Sequence, residues 1–300
     1  MNSSTPTPIR RTAEIEETTN LYFIHPLAAC LVPVFARLHV SPNAVSVTGL
    51  LFGLLAGLAY YHYQSPLWAV TGFVMMLAWH VMDGADGQLA RFTHSQSHLG
   101  KVLDGISDDA TFAAVYTALA LALAREYGPG VYALVIAAAA CHLIQAATYE
   151  AQRQEYDFWG FGRRSPQSAQ ADAGTIRVAP GLLSALDRLF YGVLSFPAAR
   201  VTERIRTTMT AALERQPERE ALLRERYREM FAPMLRQWSM LSANYRTAGI
   251  FACALLKAPQ YYFWFTLIGF NLIMVWLIHR QGERCRLLLT VLDAPASAVA

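Results

Sequence analysis

Five aspartates crowd one short stretch of the chain, His80-Val-Met-Asp-Gly-Ala-Asp-Gly-Gln-Leu-Ala-Arg91 followed by Gly100-Lys-Val-Leu-Asp-Gly-Ile-Ser-Asp-Asp109. The run lies between two segments that read as membrane-spanning helices, where an unpaired carboxylate costs several kcal/mol. On a helix, Asp83, Asp86 and Ala90 fall within about 60° of one face. Asp104 and Asp108 are spaced i,i+4 and stack on one face of the next helix. Residues 92–99 are polar enough to turn the chain, so two antiparallel helices aim four carboxylates at a common point. Four like charges that close cannot all stay ionised without a cation. Hard divalent ions with oxygen ligands, Mg²⁺ or Mn²⁺, are the natural fillers. Two such ions would stabilise both the attacking and the leaving oxygen of a phosphoryl transfer. Gly87 lets a bulky ligand approach the backbone, and Arg91 can meet a phosphate bidentately.

The elements that must position these residues are membrane helices. The 300-residue chain is 54% hydrophobic and 16% charged, where an ordinary soluble domain is about a quarter charged. Its apolar residues come in blocks of roughly 20, the length that spans a bilayer. We read six spans, at 43–62, 66–90, 100–124, 130–150, 243–257 and 260–279. Residues 24–39 hold Pro26, Pro33 and Arg37 and suit an amphipathic helix lying in the interface. The expected fold is therefore an all-α integral membrane protein with six transmembrane helices and an N-terminal interfacial helix. A helical cytosolic insertion separates helices four and five. The organisation expected is a flexible N-terminus (1–23) and a first membrane region (24–150) carrying the motif at 83–108. The insertion (151–242), the last two spans (243–280) and a tail (281–300) follow. Four scattered cysteines (Cys30, Cys141, Cys253, Cys285) lack metal-ligand spacing, and Cys141 and Cys253, inside apolar blocks, read as small buried hydrophobes. The acidic N-terminus, with Glu14, Glu16 and Glu17, is not a secretory signal.

Charge fixes the expected sidedness. With the N-terminus inside, the outer loops 63–65, 125–129 and 257–259 hold only Arg125 and Lys257 of the 25 Lys and Arg. That bias places both termini and the acidic run on the cytoplasmic side, where nucleotides and Mg²⁺ are available. The membrane expected is the inner or plasma membrane of a bacterium.

The run Asp83-x2-Asp86-Gly87-x2-Ala90-Arg91-x8-Gly100-x3-Asp104-x3-Asp108 resembles, without departure, the signature of the CDP-alcohol phosphotransferases. Six spans with an amphipathic N-terminal helix also look like that family, over roughly 24–150 and 243–280. The long segment 151–242 departs from it. The resemblance implies an integral membrane enzyme that moves a phosphoryl-bearing group from a CDP-linked donor to an alcohol and releases CMP. By the same resemblance Asp83, Asp86 and Asp104 bind the metals. Asp108 helps hold one metal and acts as general base, and Gly87, Ala90, Arg91 and Gly100 shape the cytidine diphosphate pocket. A homodimer is likewise implied, and no nucleic acid is expected as a partner.

Other residues leave alternatives open. Asn43, in Ser41-Pro42-Asn43, either touches the donor or belongs to a helix cap. Asp109 points about 100° away from Asp108 and reads as structural. His94 and His98 are metal ligands only if both are helical, and otherwise polar loop residues. Arg246 and Asn244, at the start of the fifth span, either meet the acceptor or anchor the helix at the headgroups. The insertion, with its apolar stretch 181–198 and its arginine-rich 200–240, reads as a basic membrane-surface helix pair, a dimerising or covering element, or an acceptor selector. The favoured expectation is transfer of a phosphatidyl group from CDP-diacylglycerol to a small polar alcohol of the inositol, inositol phosphate, glycerol phosphate or serine type. The alternative is transfer of a headgroup from a CDP-linked alcohol to a lipid alcohol. A divalent-cation carrier is the remote reading, since the acids cluster at one depth instead of crossing the bilayer.

Overall fold

The computed structural model describes residues 14–162, 196–215 and 217–293. Most of the first half of the insertion, including nearly all of the 181–198 stretch, lies outside them. Every regular element among the described residues is helical. In chain order these are α1 (His25–Arg37), α2 (Pro42–Tyr61), α3 (Pro66–Phe92), α4 (His98–Tyr127) and α5 (Val131–Phe161). After the undescribed segment come α6 (Phe196–Arg215), α7 (Glu220–Trp238), α8 (Ala243–Leu255), α9 (Gln260–Trp264) and α10 (Phe270–Asp293). Among the described residues six helices are long and apolar enough to cross a membrane, at Asn20–Arg37, Pro42–Tyr61, Pro66–Phe92, Leu103–Tyr127, Gly130–Phe161 and Gln260–Leu288.

The six are not the six expected. The N-terminal stretch is longer than its prolines suggest, because a π-helical turn at Asn20–Ile24 runs straight into α1. Pro26 follows directly on that π-helical turn, the kind of irregularity at which a continuous helix takes in a proline that cannot donate. Conversely, the helix expected at 243–257 has only 13 residues. At 1.5 Å per residue it is about 20 Å long, short of a hydrocarbon core of roughly 30 Å. Its first turn carries Asn244, Arg246 and Thr247, which a mean hydropathy over the whole stretch conceals.

The chain divides into two compact units. The first comprises Met1–Ala139 with Asn244–Trp264. At its centre is α2, which presents glycines to both neighbours. A Cβ on Gly49 would lie 3.2 Å from Met82 Cβ of α3. One on Gly53 would fall 2.2 Å from Thr111 Oγ1 of α4, and one on Gly57 would sit 3.1 Å from the Ala114 backbone. These spacings bring three helix backbones close together, the device membrane helices use where lipid tails supply no hydrophobic drive. On the other flank Ala28 and Val32 of α1 pack with Val45, Ala85 and Leu89. At the far ends of α2 and α4, Glu126 accepts from the Tyr63 hydroxyl at 2.7 Å and from Gln64 Nε2 at 2.6 Å, and Arg125 donates to Tyr61 at 2.8 Å.

The second unit comprises Ala140–Ala243 with Phe265–Ala300. Here α5 continues well past the expected residue 150. Its 31 residues reach about 46 Å, more than the bilayer core needs. The extension is held by the insertion. Glu155, buried at 7% exposure, accepts from Trp159 Nε1 at 2.9 Å and from Arg206 Nε of α6 at 3.0 Å. Arg224 of α7 donates to the carbonyls of Phe158 and Trp159, both at 2.9 Å, capping the last turn of α5. Gly162, at φ +65°, ends the helix in the left-handed conformation. Gln281 of α10 accepts from Trp238 Nε1 at 2.9 Å and donates to Gln152 of α5.

Candidate active site

The site is built where the N-termini of α2 and α4 meet the C-terminal turns of α3. Ser41 caps α2, its side chain accepting from the Ala44 amide at 3.2 Å, with Pro42 in the first turn. Ser97 caps α4 by accepting from the Gly100 amide at 3.0 Å. Between α3 and α4 the chain reverses tightly, with Thr93 bonded back to Leu89, the Ser95 amide donating to Ala90 O at 3.0 Å, and His94 at φ +53°. His94 thus lies in the turn and His98 opens α4, so the pair does not share a helix.

That reversal brings the two acidic helices together. Ligand oxygens of Asp83, Asp86 and Asp104 all lie within 4.8 Å of one another. Asp86 is buried, whereas Asp83 and Asp104 are half-buried. Asp108, half-buried one turn further along α4, stands outside that group of three, and Asp109 is exposed. Three carboxylates at such distances repel strongly unless a cation lies among them, and their hard oxygen donors suit Mg²⁺ or Mn²⁺. The residues present therefore fit a divalent metal.

The other motif residues surround this group. A Cβ on Gly87 would meet the Arg91 guanidinium at 3.4 Å, so the arginine folds back along α3 over bare backbone. A Cβ on Gly100 would lie 3.4 Å from Asn43 Oδ1. Gly100 thereby lets the first turn of α4 approach the first turn of α2, with Asn43 at the junction. The cap of α2 is Ser41, so Asn43 is left over from capping. Two helix N-termini converging here supply amide donors and positive dipole ends for an anion. Ala90 is half-buried, its carbonyl engaged in the turn.

One residue of the site went unread in the sequence. Ser46 of α2, 7% exposed, donates from its hydroxyl to Asp86 Oδ2. Its signal was the spacing Ser46-x2-Gly49-x3-Gly53-x3-Gly57, which puts the serine on the helix face that the glycines turn toward α3 and α4.

At the start of α8, Asn244 Nδ2 donates to Glu17 at 2.5 Å and to Asn20 Oδ1 at 2.8 Å. Arg246 is fully buried and interacts with Tyr116 of α4. Full burial does not suit a headgroup anchor. Thr247 Oγ1 lies 3.0 Å from Nε2 of the buried His80, one turn before Asp83, and so pins α8 to α3.

Helices long and apolar enough to cross a membrane, packed on bare backbone around a close group of carboxylates, mark a multi-pass membrane protein with an acidic site. Residues 39–200, more than half of the chain, match the CDP-alcohol phosphatidyltransferase family, and the chain belongs to that family of transferases of substituted phosphate groups. No curated protein matches it.

Proposed function

We propose that the protein transfers a phosphatidyl group from CDP-diacylglycerol to a small polar alcohol, releasing CMP, with the reaction centred on Asp83, Asp86, Asp104 and Asp108. The observation that supports the transfer chemistry is the three-carboxylate group formed across the α3–α4 reversal within the matched family region; the motif is common to both donor directions, and the direction leans on the basic Arg246.

Asp83, Asp86 and Asp104, with Asp108 alongside, would hold Mg²⁺ or Mn²⁺, two ions in the reading favoured here. A metal held there would supply charge neutralisation to the donor diphosphate and to the oxygens that enter and leave. The chain's own groups do the rest. Arg91 binds a diphosphate oxygen, held above Gly87 by the absence of a side chain there. The paired N-termini of α2 and α4 attract the same anion, and Asn43 and Gly100 border the nucleotide end. The acceptor hydroxyl oxygen attacks the phosphorus bearing the diacylglycerol. Asp108 takes the hydroxyl proton, the bond to the CMP oxygen breaks, and CMP leaves with that electron pair. Arg246 and Asn244 are the acceptor-side candidates; the Thr247–His80 contact supports this by fixing their helix one turn from Asp83. The distribution of Lys and Arg supports a cytoplasmic site, and dimerisation follows the family's habit.

The test is CMP release from purified protein with Mg²⁺ or Mn²⁺, CDP-diacylglycerol and a panel of polar alcohols, each with and without phosphate. Metal-dependent release with one acceptor is expected. Silence across the panel, with release from a CDP-linked headgroup and diacylglycerol, would reverse the donor direction.

A further inference from the structure

Asp86 is the most buried of the three clustered carboxylates, and the group that touches it comes from a helix outside the acidic motif. Ser46 lies on α2 four residues into the helix and is itself buried. Its hydroxyl is within reach of two acceptors, Asp86 Oδ2 and Pro42 O, the latter at 3.2 Å. A serine hydroxyl has one proton to give. The bond to an ionised carboxylate is about twice as strong as one to a neutral carbonyl, so Asp86 receives it. The backbone carbonyl of the same residue lies 3.5 Å from Ser107 Oγ, between Asp104 and Asp108 on α4. Position 46 thus touches both acidic helices. Below it the glycines at 49, 53 and 57 hold α2 against α3 and α4, so the serine cannot drift from its carboxylate.

We infer that Ser46 is a positioning residue, whose hydroxyl holds Asp86 Oδ2 so that the carboxylate presents its other oxygen to a divalent cation. The inference rests on the metal-binding reading above. A carboxylate on a single helix can turn about χ1 and χ2; anchoring one oxygen removes that freedom before the ion arrives. Loss of such an outer partner typically weakens metal binding by about 10–100-fold.

The experiment measures Mn²⁺ uptake by the full-length protein in detergent without donor, following free Mn²⁺ by electron paramagnetic resonance. Ser46→Ala should raise the Mn²⁺ dissociation constant by about 10–100-fold. CMP release at saturating Mn²⁺ should stay within a few-fold of wild type, so the change falls on metal half-saturation and not on kcat. Ser46→Thr keeps the hydroxyl and should bind Mn²⁺ nearly as wild type does. Equal affinity in Ser46→Ala and wild type would overturn the assignment while leaving the metal site intact. So would Ser46→Thr binding as weakly as Ser46→Ala. A drop in metal-free melting temperature together with the saturated rate would mark Ser46 as a packing residue instead. No Mn²⁺ uptake by wild type would remove the metal reading itself, and this inference with it.

Discussion

At the scale of single residues, the site sets a close trio of carboxylates apart from a fourth, the one proposed above as the base. Asp83, Asp86 and Asp104 form the close trio, and Asp108 stands one turn beyond it. A carboxylate outside the trio keeps room for an acceptor hydroxyl. Asp108→Asn should therefore lower the rate of CMP release by about 10²–10⁴-fold, while equilibrium binding of the CDP-linked donor persists. An active Asp108→Asn enzyme would move the base elsewhere. The grouping of Asp83, Asp86 and Asp104 was legible in the sequence, because i,i+3 spacing and a polar reversal translate directly into facing helix sides. Ser46 was not, since a lone serine in an apolar span looks like any small helix residue until its partner 40 positions away is known. Arg246 was legible as unusual but not as fully buried: a sequence places an arginine near a helix end without showing what surrounds it.

At the scale of elements, helix lengths and backbone distances decide what the site can be. The α2 glycines set the spacing of α3 and α4, so a side chain there should act on stability. Gly53→Val would drive methyl groups into Thr111, whose atoms already lie 2.2–2.8 Å from an added Cβ. Overpacking of this kind costs about 1–3 kcal/mol. We expect a lower melting temperature in detergent, read by the unfolding of the purified protein. A melting temperature equal to wild type would mean that α2 and α4 can part without cost. The sequence read α2, α3 and α4 well, since long apolar blocks bounded by Ser-Pro and Gly-Pro-Gly leave little choice. It misjudged α5, because Gln152, Tyr156 and Trp159 look like a polar exit from the membrane. In fact they form one inward face of a helix that continues and packs against the insertion. It misjudged α8 for the opposite reason, a polar first turn averaged away by the apolar residues behind it.

At the scale of the whole molecule, charge asymmetry implies a sidedness that follows the chemistry. The α3–α4 turn should face the cytoplasm, and the Tyr63–Glu126 contact should lie at the opposite surface. In a background lacking the four native cysteines, Gln64→Cys should react with a membrane-impermeant maleimide added to intact cells. Ser95→Cys should react only after the membrane is opened. Both positions are exposed, so reactivity reports side and not burial. Labelling in the reverse pattern would put the carboxylates outside, away from any nucleotide pool. The described helices of the insertion, α6 and α7, are tied by arginines to the overlong end of α5, through Glu155–Arg206 and the Arg224 cap.

Bare backbone at 49, 53 and 57 makes α2 a caliper. The gap across the carboxylates is gauged by how closely three helices can lie, and the oxygens inherit it. Mg²⁺ holds oxygens at about 2.0–2.1 Å and Ca²⁺ at about 2.3–2.6 Å, a difference of a few tenths of an ångström. The give that an extra methyl at Gly49 would demand of Met82, one residue before Asp83, is of that same size. If the carboxylates hold the proposed cation, discrimination between ions by radius would be written partly in residues that never touch an ion.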